Sequence, residues 1–288
     1  MSCSLRNLLS LIRKVLDFVL DLVYPPRCFV CGKIFEFGSG KFICESCSQL
    51  LEPIDFKLLN KSCADFAQEN LETQVETFAD EKYLCESKCE RFDFVARCKL
   101  CSRPIKTGEL CSQCHDDKFF FDKNYSFFVY DEVVSNLIHT FKYKNHPAIG
   151  IGFGKLMALN IDLVQLDNKI DYIIPVPIHK IRMRKRGFNQ SEILCRQISK
   201  KMSIPVRNDI LKRSKNTKPQ WHLNKKEREN NLVDAFEIVN EKDVIGKNII
   251  LFDDIFTTGS TMNKCAQVLK SAGANYVAGV TLSITIRD

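Results

Sequence analysis

From residue 121 onward, short apolar runs alternate with longer stretches whose apolar positions recur every three or four residues. The runs at 126–130, 171–176, 248–253 and 276–284 read as strands, and the stretches at 133–143, 147–159, 189–202 and 260–272 read as helices. Apolar strands alternating with helices predict an α/β fold: a mostly parallel sheet with right-handed crossovers and flanking helices. At the other end of the chain, residues 5–23 read as an amphipathic helix. Arg6, Ser10, Arg13, Lys14, Asp17 and Asp21 share one face, and leucine, valine and phenylalanine fill the rest. Arg13, Lys14, Asp17 and Asp21 in the interior of the run make spanning a membrane costly, so no transmembrane segment is expected. The helix either packs on its own protein or lies against a partner or a membrane surface. Pro25 and Pro26 end it.

The length of 288 residues gives a soft prior of two domains. Apolar residues at 45% and charged residues at 27% exclude a wholly disordered chain and a polytopic membrane protein. The net charge of +7 favours polyanionic partners only mildly. It is unevenly spread: residues 52–97 carry eleven acidic and six basic side chains.

Cysteine changes the picture. Eight of the fourteen fall in four C-x-x-C pairs: Cys28/Cys31, Cys44/Cys47, Cys98/Cys101 and Cys111/Cys114. Disulfides would need an oxidising compartment. The apolar N-terminal run is broken by charges and followed by no A-x-A-like cleavage site, so a reducing cytoplasm is the expected location. In that setting paired knuckles predict two structural Zn²⁺ sites, each of four thiolates. Sequential pairing of the knuckles is the expectation, although the spacing alone leaves cross-braced pairing open. Cys63, Cys85 and Cys89 are expected to be unliganded thiols within the acidic segment, and Cys195 and Cys265 small core residues. His115 follows a set already complete with four cysteines.

The stretch Ile249-Ile250-Leu251-Phe252-Asp253-Asp254-Ile255-Phe256-Thr257-Thr258-Gly259-Ser260-Thr261 carries the most chemistry. Four apolar residues predict a buried strand, with two carboxylates at the end where α/β sheets place ligands. A small, hydroxylated loop then opens a helix, whose N–H groups and dipole favour an anion. No G-K-[ST] follows a glycine-rich run and no G-x-G-x-x-G is present, so neither a Walker loop nor a dinucleotide fingerprint fits.

This stretch resembles the phosphoribosyl pyrophosphate (PRPP) signature of type I phosphoribosyltransferases. Other motifs narrow the resemblance to the ComF family of competence-associated proteins. Pro175-Val176-Pro177-Ile178-His179 and Arg186-Gly187-Phe188-Asn189-Gln190 look like one of its blocks. Thr217-Lys218-Pro219-Gln220, Leu223, Glu227-Arg228, Asn231 and Ala235-Phe236 look like the next. The resemblance covers residues 5–47 and 98–288; the acidic insertion is a departure. It implies a helix over 1–25, a double zinc ribbon over 26–120 interrupted at about 48–97, and a phosphoribosyltransferase domain over 121–288. It also implies Mg²⁺ with PRPP, ribose hydroxyls on Asp253 and Asp254, and the 5-phosphate on Thr257, Thr258, Gly259, Ser260 and Thr261. Pro177, Ile178, His179 and Lys180 resemble the pyrophosphate loop.

Arg182, Arg184 and Arg186 form a basic cluster beside that loop. It is either a solvated face or a site for phosphate or a nucleic-acid backbone. A second basic stretch, 212–228, resembles the mobile loop of related enzymes and contains the single Trp221. Three functions compete. The chain is a phosphoribosyltransferase with an unidentified acceptor, or a single-stranded DNA-binding accessory of DNA uptake in which PRPP is a regulator or relic. The third reading is an adaptor whose zinc module docks a DNA-uptake helicase or membrane partner.

Overall fold

A computed structural model describes residues 26–36, 41–51, 96–144, 146–164, 166–215, 232 and 234–286. The helix expected at 5–23, Cys63, Cys85, Cys89, Trp221 and the stretch 216–228 lie outside the described residues. The chain divides into two compact units, Met1–Leu51 and Glu52–Asp288. Among the described residues no helix is long and apolar enough to cross a membrane.

The smaller unit is built on two cysteine knuckles. A bridge between Arg27 and Ile34 closes the first, and the short helix α1 (Glu45–Ser48) follows the second. Phe42, Ile43 and Leu51 are its buried apolar residues.

The larger unit opens with another knuckle pair, carrying the two-residue strands β1 (Ala96–Arg97) and β2 (Pro104–Ile105) and helix α2 (Ser112–Asp116). A four-stranded sheet follows, formed by β3 (Lys123–Val129), β4 (Tyr172–Pro175), β7 (Asn248–Phe256) and β8 (Tyr276–Ile284). The order is β3-β8-β7-β4, and every pairing is parallel. All nine residues of β8 are buried, as a parallel strand covered on both faces requires. The small hairpin β5 (Leu211–Arg213) and β6 (Phe236–Ile238) is antiparallel.

Helix α3 (Glu132–Tyr143) starts where Asp131 accepts a hydrogen bond from the Val134 N–H at 2.7 Å. It buries Val134, Leu137, Ile138 and Phe141, a spacing of three and four residues that places them on one face. Helix α4 (Pro147–Asn160) begins with proline at its first position. Its glycines admit its neighbours. A Cβ on Gly150 would lie 2.3 Å from the Phe141 ring, and one on Gly154 would lie 2.8 Å from the Leu194 carbonyl. Leu194 belongs to helix α6 (Gln190–Met202), which packs on α4, β4 and β7. Helix α7 (Ser260–Ser271) buries Met262, Cys265, Ala266 and Leu269. These four join Ile249, Leu251, Phe236 and the cysteines Cys98, Cys101, Cys111 and Cys114 in a single core. The second knuckle pair is thus packed into the core of the sheet domain.

The four strands and four helices expected from residue 121 onward all form, and the structure differs from expectation in the length of β7, in the basic run and in the added β5–β6 hairpin. Strand β7 continues through both aspartates to Phe256, because Asp253, Ile255 and Phe256 still pair with Thr281, Ser283 and Ile284. The basic run after the β4 strand forms helix α5 (Lys180–Arg186), capped by His179 and closed by Gly187.

Candidate functional site

A cavity of about 1040 Å³ opens at the C-terminal ends of β4, β7 and β8, where open α/β sheets bind ligands. Asp253 and Asp254 project into it from β7. The Ser191 hydroxyl donates to Asp253 Oδ1 at 3.1 Å, and the Asp254 N–H donates to the same oxygen at 2.8 Å. Burial, reinforced by the neighbouring Asp254 charge, pushes the Asp253 carboxyl up to about 7; the Lys142 charge and the Ser191 bond oppose that rise. Asp254 is paired instead: Lys142 Nζ from α3 lies 2.6 Å from its Oδ2, with both side chains mostly buried.

The loop after β7 supplies the anion-binding part of the cavity. Thr257, Gly259, Ser260 and Thr261 line it, while the Thr258 hydroxyl turns inward and meets Ser260 Oγ at 2.7 Å. Gly259 caps α7 with φ of 72°, and a Cβ there would lie 2.6 Å from the Phe256 ring. Only glycine fits both the left-handed backbone and that close approach. The start of α7 therefore presents its backbone donors to the cavity.

Arg182, Lys185 and Arg186 bring positive charge to the cavity lining, whereas Arg184 is exposed and does not line it. Burial, and then the Arg186 charge, lowers the Arg182 guanidinium. Arg213 also lines the cavity, mostly buried and over the Phe236 ring at 5.2 Å. Burial, and then the Arg182 charge, pushes it down to about 10, so it still carries its charge at neutral pH. Pro177 and Ile178 line the cavity; His179 caps α5 through Nδ1, and Lys180 is the exposed first residue of that helix.

The Arg186-to-Gln190 motif acts as a joint. Arg186 donates to Gln190 Oε1 at 3.0 Å and lies 5.1 Å from the centre of the Tyr143 ring. Phe188 stacks on Phe141 at 5.4 Å. Asn189 caps α6 by accepting from the Ser191 N–H, and it donates to the Val176 carbonyl at 3.1 Å. These contacts fix Ser191 against Asp253.

Each knuckle pair closes on itself sequentially. Cys28, Cys31, Cys44 and Cys47 form one set and Cys98, Cys101, Cys111 and Cys114 the other, the four sulfurs of each lying within 4.8 Å of one another. Cys31 and Cys44 Sγ are 3.7 Å apart, as are Cys101 and Cys111 Sγ. A tetrahedron with Zn–S bonds of about 2.3 Å has edges of roughly 3.8 Å, so both sets fit zinc. The Cys44 N–H donates to Cys28 Sγ at 3.4 Å, a bond that favours thiolate. His115 is exposed, against Asp116 and outside the set. Cys195 and Cys265 are fully buried, and burial pushes both thiols up.

The second set also reaches the phosphate loop. Arg103 Nη2 donates to the Thr257 carbonyl at 2.7 Å, and Gln113 Nε2 donates to the Thr258 carbonyl at 2.6 Å. Arg103 Nη1 donates to Gln113 Oε1 at 3.0 Å. Sequence reasoning missed Arg103, Gln113, Lys142 and Ser191. Only Ser191, directly after the Gln190 motif, stood beside a usable signal.

A parallel sheet whose β7 strand carries two aspartates near its C-terminal end and leads through a hydroxylated loop into a helix N-terminus defines a type I phosphoribosyltransferase fold. Residues 139–283 match the phosphoribosyl transferase domain family, and residues 19–87 match the double zinc ribbon domain, a match that ends before Cys98. Competence protein F of Haemophilus influenzae is 30% identical over 67% of this chain and 85% of its own. Competence protein ComFC of Bacillus subtilis is 29% identical over 70% of this chain and 84% of its own. Among solved structures, an adenine phosphoribosyltransferase is 14% identical with a TM-score of 0.33, covering 49% of this chain and 73% of its own. The chain belongs to the Competence protein F family, and it combines a double zinc ribbon match with a phosphoribosyl transferase domain match.

Proposed function

We propose that this protein binds PRPP with Mg²⁺ in the cavity at the end of the sheet and transfers the phosphoribosyl group to an acceptor, in the service of DNA uptake. The observation that carries the reading is the placement of Asp253 and Asp254 immediately before the Gly259 loop and the α7 N-terminus, all facing one cavity. The 5-phosphate would take the loop donors, and the ribose hydroxyls the two carboxylates. The pyrophosphate would lie toward Pro177, Ile178 and the Arg182 side of α5.

In transfer, the bond from ribose C1 to the pyrophosphate oxygen breaks, the pyrophosphate leaves with the electron pair, and the acceptor bonds to C1. Asp253 and Asp254 would favour the positive charge that develops on the ring, and Arg182, Lys185 and Arg186 the negative charge of the leaving group. The two carboxylates that face the cavity are oxygen donors, and Asp254 is already matched by Lys142, which suits a hard cation held mainly by substrate oxygens. Mg²⁺ bound in this way supplies further neutralisation of the pyrophosphate. The two zinc sites are structural and require a reducing location that keeps their thiols free.

The test is calorimetry with Mg²⁺ and PRPP on the full chain and on Asp253→Asn/Asp254→Asn, with a pyrophosphate-release assay on a metabolite extract. Binding lost in the double variant is expected; equal affinity would sink the assignment. The names of the competence relatives and the basic wall of the cavity also support a second reading, in which the protein binds single-stranded DNA or partners a DNA-uptake helicase and PRPP is regulatory. Binding of PRPP without pyrophosphate release by any extract component would favour it.

A further inference from the structure

We propose that Arg103 and Gln113, both carried by the second cysteine knuckle pair, are positioning residues for the phosphate loop, and that metal in that cluster thereby sets the loop's affinity for anions. The proposal deepens the PRPP reading above and rests on it for the identity of the anion.

The two side chains are tied to the metal ligands by short stretches of chain. Arg103 comes two residues after Cys101, and Gln113 stands between Cys111 and Cys114. The turn at the first knuckle is closed by Ser102 N–H to Cys98 O at 2.9 Å and Cys98 N–H to Arg103 O at 2.8 Å, with Ser102 in the left-handed region. Arg103 is 3% exposed. Its bond to Gln113 joins the two halves of the four-cysteine set, and each partner then grips one of two consecutive loop carbonyls.

That grip has a geometric consequence. A peptide bond is planar, and in the trans form its C=O and N–H point in opposite directions; no peptide in the described chain is cis. Holding the Thr257 and Thr258 carbonyls against the knuckle turns the N–H groups of Thr258 and Gly259 away from it. These are the donors that an anion at the start of α7 meets. A carbonyl that accepts a hydrogen bond also polarises its own peptide and strengthens that N–H as a donor. Arg103 adds a buried positive charge directly behind the loop. Without metal, core packing and the turn hydrogen bonds alone hold the knuckles while four thiols lose their common centre, and the alignment that places Arg103 against Gln113 loosens.

The experiment compares the full chain with Gln113→Ala, Arg103→Lys and, as a control on an exposed helix face, Arg196→Ala. Four quantities are measured: zinc content, thermal midpoint, hydrogen exchange of amides 257–261 without ligand, and affinity for PRPP with Mg²⁺. We expect Gln113→Ala to keep two zinc equivalents and a near-unchanged midpoint, while loop exchange rises and affinity falls about tenfold, the effect of one lost hydrogen bond in a charged network. Arg103→Lys, which retains one cationic donor, should fall between Gln113→Ala and wild type, and Arg196→Ala should match wild type. In a Cys28→Ser background, loop exchange should rise in step with chelation of the remaining zinc. Unchanged loop exchange and unchanged affinity in both knuckle variants would overturn the coupling while leaving PRPP binding intact. Conversely, a wild-type chain that does not bind PRPP but shows the exchange changes would sink the PRPP reading and uphold the coupling.

Discussion

Lys142 Nζ lies 2.6 Å from Asp254 Oδ2, joining a helix that precedes most of the sheet to a carboxylate near the end of its β7 strand. With only 17% and 15% of the two side chains exposed, removing one partner strands the other charge. Lys142→Met is expected to cost roughly 3 kcal/mol at neutral pH. Adding Asp254→Asn should recover most of that loss, because it removes the stranded charge. A double-mutant cycle by chemical denaturation checks this, and strict additivity of the two substitutions would refute it.

Asp253 titrates at about 7 when folded, against an ordinary value of 3.8. The folded protein therefore holds this proton where the unfolded chain has released it. The stabilisation is complete below the ordinary value and is lost as pH rises toward and through about 7. Asp253→Asn should thus stabilise the ligand-free protein at pH 8 more than at pH 5. A gain of about 2–4 °C in Tm at pH 8, the shift produced by ~1 kcal/mol, is the minimum expected. Equal gains at both pH values would contradict the assignment.

Metal analysis of protein purified without added zinc should find two equivalents per chain, and fewer than one would overturn the assignment of two sites. Structural zinc contributes on the order of 10–16 kcal/mol of apparent binding free energy, coupled to folding. The two sites should differ in their reach. Cys98→Ser removes a ligand set packed into the sheet-domain core and should lower the main thermal transition. Cys28→Ser falls in the other compact unit and should leave that transition in place while losing one zinc.

Helix α5 divides its arginines between two surroundings. Arg182 and Arg186 line the cavity, whereas Arg184 is exposed and does not line it. If the basic cluster binds single-stranded DNA, the triple alanine variant should flatten the log–log salt slope by up to about two units, at roughly 0.7 per phosphate. Arg182→Ala/Arg186→Ala should make oligothymidine binding insensitive to PRPP, whereas Arg184→Ala should preserve the competition. Fluorescence anisotropy across a salt titration, with and without PRPP, distinguishes these outcomes. A slope unchanged in the triple variant would return the cluster to a solvated face.

The legible parts of this protein were those written in local periodicity. The α3 face of Val134, Leu137, Ile138 and Phe141 and the unbroken apolar run of β8 announce their elements within a dozen residues. Asp253 and Asp254 were legible because strand, carboxylates, loop and helix are contiguous. Lys142 was not, since nothing around it distinguishes it from other surface lysines until the fold brings it to Asp254. Arg103 and Gln113 were hidden by distance, reaching the loop across 154 and 145 positions of sequence. The hairpin β5–β6 was missed because its three-residue strands carry too few alternations to display a period. Strand β7 overran its expected end because pairing with β8 outweighs the poor strand preference of aspartate.

The position of β8 dictates when this molecule can acquire its cavity during synthesis. It lies between β3 and β7 in the sheet, yet of the four strands it is the last to be translated. The hydroxyls of Ser126 and Thr281 meet at 2.7 Å across 155 positions of chain. A nascent chain still tethered before Tyr276 can pair β7 with β4, but β3 and the helix that carries Lys142 have no strand to join them to that half. The phosphate loop and Asp254 are then already made while their partner is held apart. Ligand can therefore capture the site only once β8 has been made and has left the ribosome, and loss of β8 removes the whole cavity rather than trimming one wall.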